Sequence, residues 1–227
     1  MYKLSIILPT LRYSLAVHCI TAIEFNSCSD YEIIVVSSPT IIHQLQATAL
    51  PLAKCKFIID YSMNGPIAAI NAGLKHCFGE YIVTLSDDCR VAPFWDSHMI
   101  TFLKAQPKDQ IILGNFKVYD HTGVMPTIGY FGRPFSMFPI ISRENLNILG
   151  EYYSPVFNAY YSDPDLGLRV AEIGYVRTCP TAFIYHVFNS DSLHTENKHR
   201  YWQRDEEIFI KKWGHLGKFQ GCEIIKE

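Results

Sequence analysis

Within the first ninety residues, short runs rich in β-branched side chains at 4–8, 32–36, 56–59 and 81–85 alternate with stretches long enough for a helix at 15–25, 41–50 and 67–77. No other feature narrows the fold as much. Two antiparallel strands can be joined by a tight turn, but two parallel strands need a crossover of about a dozen residues, usually a helix. The spacing therefore predicts successive βαβ units with right-handed crossovers, forming a parallel sheet flanked by helices. Ligands of such sheets sit beyond the carboxyl ends of the strands.

After Val91 the rhythm loosens into an α+β pattern. A helix is expected at 95–105 and a strand at 111–118, followed by a glycine- and aromatic-rich stretch at 122–139. Ser142, with Glu144 in the first turn, marks a helix start, and Gly150 marks its stop. Asp163 followed by Pro164 reads as an N-cap and first helical position. A strand at 182–186, a loop and an amphipathic helix at 199–213, stopped by Gly214, complete the pattern. With no internal repeat and no linker rich in Pro or Gly, residues 1–227 are read as a single domain whose halves, 1–90 and 91–227, share one sheet.

Charge and cysteine usage exclude several classes of function. Twenty Lys and Arg against 22 Asp and Glu give a net charge of -2, so there is no global positive field for nucleic acid. The seven cysteines are scattered, with no CxxC pair, as in a chain kept reduced. No apolar stretch approaches the ~18 residues of a membrane span, and residues 1–11 lack a signal-peptide cleavage site. These features point to the cytoplasm, with Arg200, Arg204 and Lys211 of the last helix either solvated or in peripheral contact with a membrane. P-loop and HExxH motifs are absent.

Three groups of residues could carry chemistry. Asp87 and Asp88 follow directly on the apolar strand ending at Leu85. They either close a solvated turn or divide their work, one carboxylate reaching a cation and its neighbour a sugar hydroxyl. Asp163 is either only a helix cap or a base placed to take a proton from an acceptor hydroxyl, with Asp165 as the next candidate. His186 ends the apolar run 181–185, where it packs, or joins a carboxylate in a Mn²⁺ or Mg²⁺ site with positions left for phosphate oxygens. His194 is the competing ligand, in a loop at 191–194 that could close as a lid.

In that order these features resemble the inverting family 2 glycosyltransferases of the GT-A fold, and the likeness runs along nearly the whole chain. Ser5-Ile6-Ile7-Leu8-Pro9-Thr10 resembles the family's opening strand and donor-binding turn, and Tyr31-Glu32-Ile33-Ile34-Val35-Val36 its second strand. Asn64-Gly65, then Asn71-Ala72-Gly73 and Gly79-Glu80-Tyr81-Ile82, are similar to the approach to the metal motif, and Asp87-Asp88 stands in the place of that DxD-type motif. Asp163-Pro164-Asp165-Leu166 matches the segment whose first aspartate is the family's base, and Lys212-Trp213-Gly214 resembles a frequent closing pattern.

The resemblance implies a Rossmann-like, mostly parallel GT-A sheet with a nucleotide-sugar half at 1–90 and an acceptor-binding, catalytic half at 91–227. It implies transfer with inversion from a nucleoside-diphosphate sugar, UDP by default, to a glycan, glycolipid or small-molecule hydroxyl, as in polysaccharide biosynthesis. Donor contacts are expected from Pro9, Thr10, Arg12, Ser38, Asn71, Asp87 and Asp88, and Mn²⁺ or Mg²⁺ binding from Asp88 and His186. Asp163 is expected as general base, and Arg133, Tyr161 and Asp165 on the acceptor side. The aromatics of 131–161 are either sugar platforms or core. Two positions depart from the pattern: Ser37-Ser38 replace an aspartate that commonly reads the nucleobase, and Ile70 replaces an arginine whose diphosphate contact Arg12 could supply. A sugar nucleotidyltransferase, which would carry a glycine-rich loop where residues 8–12 have no glycine, and a binding protein without turnover are the alternatives.

Overall fold

The computed structural model describes residues 2–48, 52–125, 129–187 and 191–217. In the first half, β1 (Leu4–Pro9), β2 (Tyr31–Ser37), β3 (Cys55–Ile59) and β4 (Tyr81–Thr84) alternate with α1 (Tyr13–Asn26), α2 (Pro39–Gln46) and α3 (Pro66–Leu74). The β1–β2, β2–β3 and β1–β4 ladders are all parallel. Helix α1 buries Ala16, Cys19, Ile20 and Ile23, the i, i+3, i+4, i+7 stripe that lets one face lie on the sheet. Alternate residues of the strands feed two cores. Ile6, Leu8, Ile33, Val35 and Val83 pack on one face, and Ile7, Ile34, Val36 and Ile82 on the other. Burial on both faces explains why β2 reads as a continuous apolar run. Its one charge, Glu32, is held by the Ser5 hydroxyl at 2.6 Å and Lys56 Nζ at 2.5 Å.

The second half contributes β5 (Cys89–Val91), α4 (Trp95–Lys104), β6 (Ile111–Asp120), β7 (Gly123–Val124), β8 (Ile140–Ser142), α5 (Arg143–Leu149), α6 (Ser162–Ile173), β9 (Gly174–His186) and α7 (Ser192–Trp213). The strands form one sheet in the order β3-β2-β1-β4-β8-β6-β9-β5, with β7 beside β6. The expected α/β sheet, continuous through both halves, is therefore present. Ser142 caps α5 by accepting from Asn145 N at 3.1 Å, and Gly150 ends it at φ 83°, a conformation that favours glycine.

The structure departs from the sequence reading in several elements. Strands β5, β7 and β8 have two or three residues each, too few to show an alternation. Strand β9 begins at Gly174 rather than 182: its first residues are largely exposed and show no continuous apolar run, and pairing with β6 holds them extended. Helix α7 begins at Ser192 rather than 199, because the Asp191 carboxylate accepts from His194 N at 2.9 Å and caps it. The segment 191–194 is thus a cap and first turn, not a loop. Helix α2 stops at Gln46; positions 49–51, within or just beyond the expected helix, and 126–128, within the glycine- and aromatic-rich stretch, lie outside the described residues. Among the described residues, no helix is long and apolar enough to cross a membrane.

Candidate active site

Strand β1 has β2 on one side and β4 on the other, so the crossovers diverge there and leave a crevice at the carboxyl edge. The crevice is a cavity of about 380 Å³, lined by the ends of β1 (Pro9, Thr10), β2 (Val36, Ser37) and β4 (Ser86, Asp87), with Arg12 at its rim. Asp60, just past β3, Met63 in the loop that follows, and Gly65 and Pro66 at the start of α3 form a second side. Gly65 holds φ 92°, and a Cβ on it would lie 2.5 Å from the carbonyl oxygen of Asn158. The third wall is one face of α7, where Leu193, Glu196, Asn197, Arg200 and Tyr201 recur at helical spacing.

Sheet register brings the metal candidates together. Strands β5 and β9 are antiparallel with Cys89 opposite His186, and Val187 N donates to the Asp88 carbonyl at 2.9 Å. His186 Nε2 consequently lies 3.3 Å from Asp88 Oδ1, an oxygen that also accepts from the Ser86 hydroxyl. Asp87 accepts from the Thr10 hydroxyl at 2.6 Å. Arg12 ties the cluster: Nε and Nη2 both donate to Asp87, Nη2 also to Asp88 Oδ2 at 3.0 Å, and Nη1 to Asp191 at 3.2 Å.

These contacts separate the two carboxyls. Burial raises both, but at Asp88 the hydrogen bonds from His186 and Ser86 and the charge of Arg12 outweigh it, leaving the pKa below the ordinary value. At Asp87 burial prevails over Arg12 and Thr10, and the pKa is raised.

Among the described residues, no group of three His, Cys, Asp or Glu side chains stands ready to hold an ion. The pair still fits one. Two neighbouring ligands on an octahedral ion at about 2.1 Å are separated by about 3 Å, near the Asp88–His186 spacing, and such ions keep several positions for water and phosphate.

Asp163 is not the cap of α6. That position is Tyr161, in the left-handed region at φ 63°, and among the described residues no side-chain hydrogen bond caps the helix. The half-buried Asp163 carboxylate instead accepts the hydroxyl of Tyr153. Tyr152, against Tyr153, has its hydroxyl 3.4 Å from that of Thr84, the last residue of β4. Asp163 is thereby tied to the strand that leads into Asp87, outside the cavity lining. Burial raises its pKa to about 7, and the Tyr153 hydrogen bond offsets only part of the rise.

Several expected roles change. Asp165 is fully buried, paired with Lys212 at 2.6 Å, Arg169 at 2.9 Å and the Trp213 indole at 2.9 Å, so it locks α6 to α7 and cannot meet an acceptor. Tyr161 is buried, donates to Glu206 at 2.5 Å and packs on Phe209, which withdraws it from any acceptor surface. Asn71 donates its amide to the Tyr153 carbonyl at 3.0 Å, and neither it nor Ser38 lines the cavity. Ser38 caps α2, and its neighbour Ser37 lines the cavity instead. Arg133 is exposed and does not line the cavity. Tyr152, Tyr153 and Phe157 are core. Arg200 lines the cavity, and Arg204 holds the Val156 carbonyl at 3.0 Å, so this side of α7 is not merely solvated.

Sequence reasoning missed Asp60, although it is the first carboxylate beyond a parallel strand, and the α7 face at 193–201, hidden by starting that helix too late. It also missed Asp205. Buried on α7, Asp205 accepts from the backbone N–H of Asn158, Ala159 and Tyr160 at 2.9–3.2 Å, holding the chain that leads into Tyr161 and Asp163.

A Rossmann-like sheet opening at its switch point into a cavity of this size, with adjacent aspartates beyond β4, has the GT-A architecture. Solved structures share the architecture. GalNAc-T7 with UDP, GalNAc and Mn²⁺ aligns at a TM-score of 0.67 and 13% identity, over 95% of this chain and 51% of that one. A mannosyltransferase of Pyrobaculum calidifontis with GDP-Man and Mn²⁺ aligns at 0.64 and 17%, over 96% and 66%. TarS 1-349 of S. aureus aligns at 0.64 and 14%, over 82% and 60%. The chain thus spans about half to two thirds of these structures. No curated protein sequence matches it. Residues 5–159 match the model of glycosyl transferase family 2, and the chain belongs to that family.

Proposed function

We propose that the protein is an inverting, divalent-metal-dependent glycosyltransferase acting on a nucleoside-diphosphate sugar, UDP by default. The observation that carries this reading is the Asp88–His186 pair, 3.3 Å apart, next to Asp87 at the rim of the switch-point cavity. Asp88 and His186 would hold Mn²⁺ or Mg²⁺, which when bound supplies positive charge for the diphosphate leaving group. Thr10, Asp87 and the α7 face position the nucleotide, and Asp60 takes over the polar contact to the base that Ser37-Ser38 do not supply. Asp163, which accepts the Tyr153 hydroxyl, removes the proton of the acceptor hydroxyl. Its raised pKa near 7 makes it a stronger base than an ordinary carboxylate while leaving it substantially ionised at neutral pH. Attack opposite the departing diphosphate inverts the anomeric centre. The acceptor is a glycan, a glycolipid or a small molecule.

A panel of UDP-, GDP- and dTDP-sugars, measured by thermal shift with Mn²⁺ and with EDTA, tests class and donor together. One nucleotide should stabilise the protein with metal and much less without it, and its sugar should be released slowly with inverted configuration by NMR. Equal stabilisation in EDTA would remove the metal from the reading, and a retained anomer would remove the inversion.

A further inference from the structure

Arg12 lies where a metal-dependent site has least use for a fixed cation. Its guanidinium makes four contacts to carboxylates: Nε and Nη2 donate to Asp87, Nη2 also to Asp88 Oδ2 at 3.0 Å, and Nη1 to Asp191 at 3.2 Å. These contacts are unequal. Asp87 is gripped by two nitrogens, the fork geometry that favours arginine, whereas Asp88 has one shared contact. Asp88 is also the carboxylate whose other oxygen faces His186. A divalent ion on that oxygen would stand next to the guanidinium across a single carboxylate, and like charges so close in a mostly buried site repel strongly.

We propose that Arg12 is the resident counter-cation of Asp88, which suppresses uptake of a divalent ion until a nucleoside diphosphate enters. Resting on the metal-dependent reading above, the proposal assigns Arg12 a positioning role. When the diphosphate arrives, Arg12 gives up its shared contact to Asp88, keeps its grip on Asp87 and turns the released N–H toward the cavity it already lines. The incoming anion screens the ion from the guanidinium. Metal and nucleotide then bind as a coupled pair, and by linkage each raises the affinity of the other by the same factor.

The test is the affinity for free Mn²⁺, followed by the EPR signal of the unbound ion, for wild type, Arg12→Met and Arg12→Lys with and without saturating UDP, and again with GDP. Without nucleotide, Arg12→Met should bind Mn²⁺ at least about fivefold more tightly than wild type, the lower end of coupling between linked sites. With nucleotide the advantage should vanish or reverse, so the coupling factor falls. Arg12→Lys keeps the charge and should stay near wild type. If Arg12→Met fails to fold, Arg12→Gln, uncharged but still a hydrogen-bond donor, serves the same comparison. Unchanged or weaker Mn²⁺ binding by the neutral variant, while wild type binds Mn²⁺ with nucleotide, overturns the proposal and leaves the metal site standing. Failure of wild type to bind Mn²⁺ with either nucleotide overturns both.

Discussion

Replacing Asp163 with Asn separates a carboxyl that only holds structure from one tuned as a base. The two side chains have the same shape, and the amide oxygen can still accept the Tyr153 hydroxyl, so what changes is the charge. Burial moves this carboxyl from an ordinary 3.8 to about 7, which makes its ionised form about 4 kcal/mol costlier in the folded protein than in the unfolded chain. A carboxyl raised on folding binds more protons in the native state between those two values. Stability therefore falls as pH climbs from about 4 to about 7 and levels off above. Asp163→Asn escapes that loss. Urea unfolding of both proteins from pH 4 to 8.5 should show the variant gaining up to about 4 kcal/mol relative to wild type across the window. The wild-type kcat should rise through pH 7 as the base ionises, and the variant should lose at least about 10² in kcat with donor affinity unchanged. A stability difference constant within about 1 kcal/mol, or an acidic limb near pH 4, would refute the account.

His186→Ala should weaken Mn²⁺ binding in the presence of nucleotide at least about tenfold by calorimetry with the fold retained, whereas His194→Ala should leave it unchanged; the reverse order would exchange their roles. Asp165→Ala leaves Arg169, Lys212 and the Trp213 N–H facing a vacated buried position and should cost about 3 kcal/mol or more in urea unfolding, and a loss under 1 kcal/mol would remove it from the α6–α7 lock. Among the described residues the buried Ser136 hydroxyl has no hydrogen-bond partner, so Ser136→Ala should leave stability unchanged or raise it by about 1 kcal/mol, and a clear loss would reveal a missed partner.

The first half was legible because local pattern and tertiary need coincide there. A strand buried on both faces must be apolar throughout, as β2 is apart from Glu32, and a crossover helix must show a stripe, as α1 does. Strand β9 was half hidden because its start is held by pairing with β6, and a backbone ladder asks little of the side chains. The site divides in the same way. Asp87, Asp88 and His186 sit at strand ends, which sequence marks, and β5–β9 pairing brings the histidine to the aspartate. The contacts of Arg12 and Asp165 could not be read from sequence, because they are set by residues far along the chain: Asp87, Asp88 and Asp191 for the first, Lys212 and Trp213 for the second. Asp163 was misread as a cap because Asp-Pro is a good helix start wherever Tyr161 does not take the position first.

Helix α7 supplies one wall of the cavity, the Asp191 partner of Arg12, the Asp205 clamp on the chain before Asp163, and the lysine and tryptophan that neutralise Asp165. Among the described residues it follows every strand, so on the ribosome it emerges after those strands. A nascent chain that has reached β9 can hold its full set of ladders while Asp165 lies uncompensated and the cavity stands open on one side. Synthesis thus separates in time two things the finished protein shows together: the sheet can assemble as its strands appear, while a competent site waits for α7 to dock. Enzyme activity appearing on a translating ribosome would therefore report the arrival of α7 rather than the folding of the sheet.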